Sequence, residues 1–395
     1  MPSTRTTTTT LLVSALVVYS AQGMLVPVLA PVTRLVGLGE VDLGAVMTLS
    51  AAMLVLTGPW WGREVDRVGV HAVLVRGLLI ATFGAAGFAV MTEVAVRQEL
   101  PRWLVLTAFA LTRGVLYGVG FAAVPVAALT YLASTSDGAT ARTKAMGAFG
   151  AVQGISLVVG PAIGGLAAIG GLLLPVHLAP VLVGATLVAV WLLPAPERQE
   201  RPERERLGFG DPRVLPYLAA GAALFLGLAL VEIILGFLVQ DRLGLTNTET
   251  AGVVAVAGVA IGIGFALTQA VVAPRVPGGP RALIVIGSLV AAGGYGLAIV
   301  ATTLGVLLPA LMVIAAGLGL AVPGYNAGAT LVVEPSEHAA VAGQLSATVG
   351  LTYVIGPVLG AGLYGLNDLA PIVGAALLSV VAAVVAAALV RPVAR

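Results

Sequence analysis

Two charged residues, Arg113 and Glu232, lie inside long apolar segments of the sequence. An ionisable side chain in mid-membrane costs about 2.5–3.5 kcal/mol on insertion scales, so it is rarely without a function. A desolvated carboxylate takes up or releases a proton when its surroundings change, and a nearby cation favours its charged form. We therefore expect Glu232 to carry a proton, with Arg113 in a proton-coupling or substrate-binding role. The alternatives are a fixed Arg113–Glu232 pair that only orders the helices, and an arginine bonded to backbone carbonyls.

The composition indicates the class of protein. Of the 395 residues 59% are hydrophobic and 10% are charged, whereas a soluble domain carries roughly 25% charged residues. A membrane protein that crosses the bilayer many times is expected. There is no cysteine, which excludes disulfides and thiol catalysis, and the three histidines are far apart, which argues against a metal site. No nucleophile–base pair or phosphate loop is recognisable, so neither an enzyme nor a cofactor is expected, and the net charge of +2 does not imply nucleic-acid binding.

Twelve apolar segments are long enough to cross a bilayer, which takes about 20 residues per helix. We predict an all-α, polytopic membrane protein with two pseudo-symmetric bundles of six helices. The first segment is too long for the apolar part of a signal peptide and is interpreted as the first membrane helix. The predicted membrane helices, numbered 1 to 12 along the chain, cover residues 11–33, 43–62, 71–92, 103–133, 145–168, 172–193, 214–240, 248–273, 282–302, 304–333, 339–363 and 368–390.

A pattern of glycine and proline in helix 5 returns in helix 11, 196 residues later (from 147 to 343). Small residues four apart share one helix face, so that a neighbouring backbone can approach closely in lipid. The proline removes a backbone donor and bends the helix. A period of half the chain indicates two copies of one unit, an architecture typical of transporters. The matching residues are Gly147, Gly154, Gly160, Pro161 and Gly164 in the first half and Gly343, Gly350, Gly356, Pro357 and Gly360 in the second.

The polar break in the middle of the chain separates the two predicted bundles. We predict an N-terminal bundle over 1–193, a charged linker over 194–213 and a C-terminal bundle over 214–395. With the N-terminus placed in the cytoplasm, fifteen of the 20 basic residues fall in cytoplasmic segments and four in outer segments. The positive-inside rule therefore predicts that both termini and the linker are cytoplasmic, in a multi-pass protein of the plasma or inner membrane.

The turn between helices 2 and 3 resembles the G-x-L-a-D-R-x-G signature of the major facilitator superfamily. It matches at Gly62, Asp66, Arg67 and Gly69, and departs from it at Glu64, where leucine is usual, and at Val70 and His71, where basic residues are usual. The resemblance covers the whole chain and implies the major facilitator fold. It also implies that the Asp66–Arg67 pair acts as a gate latch, and the flanking glycines predict that the pair sits in a tight turn. The alternative is a solvated surface pair.

Helix 5 resembles the antiporter signature g-x-x-x-G-P-x-x-G-G at Gly160, Pro161, Gly164 and Gly165. This likeness implies the drug:proton antiporter branch, in which helices 5 and 11 pack at the moving interface; Gly356, Pro357 and Gly360 are the gating candidates of helix 11. Helix 4 resembles the family's R-x-x-q-G element at Arg113, but the following glycine is Gly118, one residue too far along the chain, and Tyr117 stands where glutamine is usual.

In this superfamily helices 1, 4, 7 and 10 line the central cavity, and both membrane charges fall on that set. Each of the four helices shows a polar or small face, as a water-filled path requires. On helix 7, Phe225, Ala229, Glu232, Gly236 and Gln240 would form one stripe. The cavity candidates are Tyr19, Gln22, Tyr117, Phe225, Gln240, Asn326 and Thr330.

The resemblance implies a secondary active transporter that exports small, lipophilic, drug-like molecules in exchange for protons by alternating access. The alternatives are a dedicated metabolite or siderophore exporter, a proton symporter and, less favoured, a non-transporting membrane receptor or scaffold. The expected partners are a small-molecule substrate, protons and the lipid bilayer. A monomer is the simplest assembly, and no cofactor other than the proton gradient is implied.

Overall fold

In a computed structural model the chain is almost entirely helical. The structure describes residues 4–135, 138–192, 208, 210–334 and 337–390. Twelve helical segments within these residues are long and apolar enough to cross a membrane, as the sequence predicts. The α-helices are α1 Thr4–Leu35, α2 Glu40–Val68, α3 Val70–Arg97, α4 Arg102–Phe109, α5 Tyr117–Ser134, α6 Gly138–Ile169, α7 Leu174–Trp191, α8 Leu215–Glu232, α9 Leu235–Leu243, α10 Asn247–Leu267, α11 Gly279–Ile299, α12 Leu304–Leu331, α13 His338–Leu366 and α14 Ala370–Leu389.

Three membrane helices differ from the uninterrupted segments predicted for them. Helix 4 consists of α4, a π-helical turn at Ala110–Leu116 and α5. Helix 7 consists of α8 and α9, and stops between them after Glu232. Helix 8 continues from α10 into a π-helical turn at Thr268–Val272 and a 3₁₀ turn. Most of the predicted linker, residues 194–207 and 209, lies outside the described residues.

The chain divides into two compact units. The first contains residues 1–202 and 245–259, and the second contains residues 203–244 and 260–395. The division places the larger part of α10, residues 247–259, with the first unit, whereas the predicted C-terminal bundle over 214–395 contains all of helix 8.

Each unit has its own apolar core. In the first unit, buried residues of α1, α2, α3 and α5 pack together, with Trp61, Leu74 and Leu78 almost fully enclosed. The indole Nε1 of Trp61 donates a hydrogen bond to the Val119 carbonyl at 2.8 Å, which ties the end of α2 to α5. In the second unit, buried residues of α8, α11, α12 and α13 surround Tyr217 and Tyr325. A buried indole or phenol needs a hydrogen-bond partner, and the Tyr325 hydroxyl donates to the Leu345 carbonyl at 3.0 Å.

Candidate functional site

Arg113 occupies the π-helical turn of helix 4. A π-turn closes its hydrogen bond over one residue more than an α-turn. The turn therefore absorbs the additional residue between Arg113 and Gly118 by which the sequence departs from the family's helix 4 element. Glycines allow helix 4 to pack closely against α2 and α3 around this turn. A Cβ on Gly118 would lie 2.7 Å from the Ser50 carbonyl oxygen of α2, and one on Gly84 of α3 would lie 2.8 Å from the Thr112 carbonyl oxygen.

The Arg113 side chain is 1% exposed, and it makes a hydrogen bond with one side chain and a cation–π contact with another. Its Nη2 donates a hydrogen bond to Gln22 Oε1 on α1 at 2.9 Å. Its guanidinium carbon lies 4.4 Å from the ring centre of Tyr117, within the range of a cation–π interaction. Within the described part of the chain, Nε and Nη1 have no hydrogen-bond partner. The structure thus brings together three predicted site residues, Gln22, Arg113 and Tyr117, and leaves two buried guanidinium nitrogens without an acceptor among the described residues.

An aromatic cluster extends from this arginine. Tyr117 stacks on Phe121, with ring centres 5.8 Å apart, and Phe121 meets Tyr19 edge to face at 5.1 Å. Tyr19 also contacts Phe149 of α6, with ring centres 6.2 Å apart, and hydrogen-bonds to the side chain of Gln153. Phe149 is absent from the predicted site. Phe149 lies four residues before Gln153 and so on the same helical face, and this spacing could have indicated that it belongs to the site.

Glu232 is the last residue of α8, at the point where helix 7 stops. Its Oε2 accepts a hydrogen bond from the Tyr353 hydroxyl of α13 at 2.8 Å. The hydroxyl of Tyr295 on α11 interacts electrostatically with Glu232 but, among the described residues, has no hydrogen-bond partner. The Glu232 side chain is exposed in the structure of its unit. The sequence does not indicate that either tyrosine lies near Glu232, because side chains on three different helices share no regular spacing.

The other predicted cavity residues of the second unit do not gather around Glu232 in the contacts observed. Phe225 packs edge to face against Tyr325 at 5.6 Å. Gln240 lies on α9, so the break after Glu232 removes the continuous helical phase that placed it on the predicted stripe. Asn326 and Thr330 lie in the last two turns of α12, and the Thr330 hydroxyl donates to the Ala327 carbonyl of its own helix at 2.9 Å.

The predicted latch is helical rather than a turn. Gly62, Asp66 and Arg67 belong to the last turns of α2, and only Gly69 leaves the helix, with a φ of 87° and a ψ of 163°. The prediction that Asp66 and Arg67 sit in a tight turn is therefore wrong, since the chain reverses within the single residue Gly69. Glu64, where leucine is usual in the family, pairs with Arg76 of α3 at 3.1 Å and with Arg67 at 3.6 Å.

His71, where a basic residue is usual in the family, shares a hydrogen bond with the Val190 carbonyl at 2.9 Å. This contact joins the start of α3 to the last turn of α7. Two of the three residues that depart from the family signature, Glu64 and His71, thus connect this end of α2 and α3 to neighbouring groups.

The glycine pattern of helix 5 permits close packing in the first unit. Pro161 lies inside α6, which is one continuous helix. A Cβ on Gly160 would lie 2.8 Å from the Cα of Gly23 on α1, and one on Gly164 would overlap the Met24 carbonyl oxygen. α6 also meets the middle of α10, at a residue that belongs to the same unit: a Cβ on Gly258 would lie 2.7 Å from Pro161.

The second unit repeats this packing. Pro357 lies inside the continuous helix α13. A Cβ on Gly360 would overlap the Leu230 carbonyl oxygen, and one on Gly356 would lie 3.1 Å from the Ala229 carbonyl carbon. Helix 11 therefore packs on helix 7 through the same repeat positions by which helix 5 packs on helix 1.

A family model of the Major Facilitator Superfamily matches residues 11–345. The chain belongs to this superfamily. Its members are transporters, so this is a multi-pass membrane transporter and not an enzyme. The all-helical fold with twelve membrane helices, predicted from the sequence, is confirmed.

Curated relatives and solved structures agree with this assignment. The tetracycline resistance protein, class C, of Escherichia coli is 28% identical over 353 residues, covering 85% of this chain and 84% of the relative. Multidrug resistance protein 2 of Bacillus subtilis (strain 168) is 27% identical over 184 residues, covering 46% of this chain and 42% of the relative. The crystal structure of the nucleoside transporter NupG matches 97% of this chain, with a TM-score of 0.75 and 12% sequence identity. This similarity shows the fold alone.

Proposed function

We propose that this transporter exports small, lipophilic, drug-like molecules in exchange for protons. The observation that carries the proposal is the position of Glu232, an exposed carboxylate inside a membrane segment and at the end of a helix. An acid in such a position is costly unless it is used. The relatives named for tetracycline and multidrug resistance support export of drug-like molecules by this chain.

Glu232 acts as the proton carrier in this mechanism. In its charged form the carboxylate accepts the hydrogen bond from Tyr353. Protonation removes the charge, and the bound proton is released when the transporter exposes Glu232 to the other side of the membrane. Alternating access then couples one inward proton movement to outward substrate movement. The gating residues at Gly62–Gly69 and the glycine faces of helices 5 and 11 take part in that change of state.

Arg113 supports the substrate side of the cycle in the first unit. Two of its guanidinium nitrogens, which have no acceptor among the described residues, lie beside an apolar cluster formed by the rings of Tyr117, Phe121 and Tyr19. Charge-assisted hydrogen bonds and ring stacking together suit a planar molecule with polar substituents.

The experiment is transport in inside-out vesicles with an imposed pH gradient, with tetracycline and ethidium as first probes. Wild type, Glu232→Gln and Arg113→Ala are compared with Glu93→Gln, a matched control whose carboxylate pairs with Arg97 on α3. We expect substrate-driven proton release in wild type and in the control, and its loss in the other two variants. Gradient-driven transport by Glu232→Gln at the wild-type rate would contradict the role of Glu232. Absence of transport for both probes in wild type would favour a dedicated exporter or a symporter.

A further inference from the structure

We infer that Glu232, Tyr295 and Tyr353 form a binding site for the protonated amine of a transported molecule. The inference rests on the proposed export function and names the class of substrate. The three side chains come from α8, α11 and α13 of the second unit, and all their polar atoms are oxygens.

The end of α8 makes the site favourable for a cation. The last four carbonyl groups of an α-helix have no amide partner within the helix. α8 ends at Glu232 and α9 begins three residues later, at Leu235. The carboxylate therefore adds a full negative charge where the backbone already presents acceptors.

The two tyrosines leave acceptor positions open. The Tyr353 hydroxyl uses its hydrogen on Glu232 Oε2, and Glu232 Oε1 accepts no hydrogen bond from the described residues. Tyr295 is 1% exposed, and its hydroxyl has no hydrogen-bond partner in the described part of the chain. A buried hydroxyl without a partner is costly. A ligand with N–H groups would satisfy the hydroxyl and the carboxylate at once.

The arginines of this unit leave the charge of Glu232 unneutralised. Among the described residues of the second unit, Arg213 binds Asp211 and Glu337, and Arg242 binds the Ala298 carbonyl. The other two, Arg275 and Arg281, donate to the carbonyls of Val271 and Ala387. Each arginine thus has its own acceptor away from the break in helix 7, and the net charge of the site is that of one carboxylate.

A protonated amine matches this site in charge and in hydrogen bonding. It supplies a single positive charge together with N–H donors, which form charge-assisted hydrogen bonds to a carboxylate and to a hydroxyl. A quaternary ammonium would supply the charge alone. The structure therefore predicts two separable preferences: one for a cation, through Glu232, and one for N–H groups, through Tyr295.

The test is equilibrium binding to the purified full-length protein in detergent, without any gradient. The probe is the fluorescent amine dansylcadaverine, compared with its trimethylammonium and N-acetyl derivatives, which share its ring and linker. Variants are Glu232→Gln, Tyr295→Phe and Tyr353→Phe. Tyr325→Phe is the control, because this buried hydroxyl of the same unit donates to the Leu345 carbonyl.

We expect wild type and Tyr325→Phe to bind the primary amine at least about tenfold more tightly than the N-acetyl compound, the effect of one charged hydrogen bond. Glu232→Gln should abolish that preference. Tyr295→Phe should reduce the preference for the primary over the trimethylated amine and keep the preference for positive charge. Tyr353→Phe should weaken binding of both cations alike, since it frees the carboxylate to rotate.

Equal affinity of wild type for the three probes would overturn the inference, even if pH-driven transport of other substrates were abolished by Glu232→Gln. Unchanged probe selectivity in Glu232→Gln would overturn it as well. If wild type selects the amine through Glu232 but shows no proton-coupled transport, the result supports the amine site and contradicts the proposed antiport.

Discussion

Gly164 of α6 lies directly against the main chain of Met24 on α1, so that a Cβ at this glycine would overlap the Met24 carbonyl oxygen. Gly360 of α13 has the same relationship to Leu230 of α8. The two glycines are 196 positions apart, and the sequence repeat is therefore also a repeat of packing. In lipid, where apolar burial does not drive helix association, such close backbone contact is a main source of helix–helix stability.

Alanine at Gly164 or Gly360 should destabilise the transporter. The neighbouring atom is a backbone carbonyl that cannot rotate away, and overpacking typically costs about 1–3 kcal/mol. Gly154→Ala and Gly362→Ala are matched controls in α6 and α13, because a Cβ at either position meets nothing within 4 Å. Thermal unfolding in detergent measures the effect. If Gly164→Ala and Gly360→Ala unfold at the same temperatures as their two controls, these glycine contacts do not limit stability.

Gly69→Ala should cost stability for a different reason. The backbone at Gly69, with φ of 87° and ψ of 163°, lies in a region that is essentially restricted to glycine, where strain costs about 1–3 kcal/mol. A Cβ there meets no atom within 4 Å, so the effect is backbone strain alone. Gly62→Ala is the control, since Gly62 is helical and equally open, and alanine favours a helix. If Gly69→Ala unfolds at the wild-type temperature, as the Gly62→Ala control should, an alanine at Gly69 adds no backbone strain that lowers stability.

Replacing Gln22 by methionine should destabilise the first unit through Arg113. The substitution removes the hydrogen bond to Arg113 Nη2 and leaves a buried guanidinium short of acceptors, at a cost of about 1.5–3 kcal/mol. A double-mutant cycle with Arg113→Met isolates the pair by thermal unfolding. In the Arg113→Met background, Gln22→Met should then cost little stability. An undiminished cost of Gln22→Met in the Arg113→Met background would mean that Gln22 acts through another contact.

Periodicity and motif spacing account for the twelve membrane helices and for the glycine faces. They did not predict the π-turn at Ala110–Leu116 or the stop after Glu232, because both keep the segment apolar and leave the hydropathy pattern unchanged. The single sign of the π-turn was the additional residue before Gly118. Tyr353 and Phe149 were missed because their partners lie on other helices, and only tertiary packing brings them together.

The ion cluster at the start of helices 7 and 11 should stabilise the second unit in a pH-dependent way. Hydrogen bonds from the Arg213 guanidinium hold the pKa of Asp211 and of Glu337 below their usual values. Lowered carboxyl pKa values give stability above the unfolded values, about 4, and the stability is lost as the pH falls through the folded values. The unfolding temperature of Arg213→Gln should therefore lie below that of wild type at pH 7 and approach it near pH 3.5. A constant difference across this range would exclude the two carboxyl groups as its source.

The proposed orientation, with both termini in the cytoplasm, can be tested because the chain contains no cysteine. Glu99 lies in the short connection between α3 and α4, and Arg63 lies near the end of α2; both are exposed. Labelling of Glu99→Cys by a membrane-impermeant maleimide is expected in intact cells, whereas Arg63→Cys should react only after permeabilisation. The positive-inside rule is the reason, since the basic residues concentrate on the side of Arg63. Labelling of Arg63→Cys alone in intact cells would show the opposite orientation, and the pH gradient would then drive transport in the opposite direction.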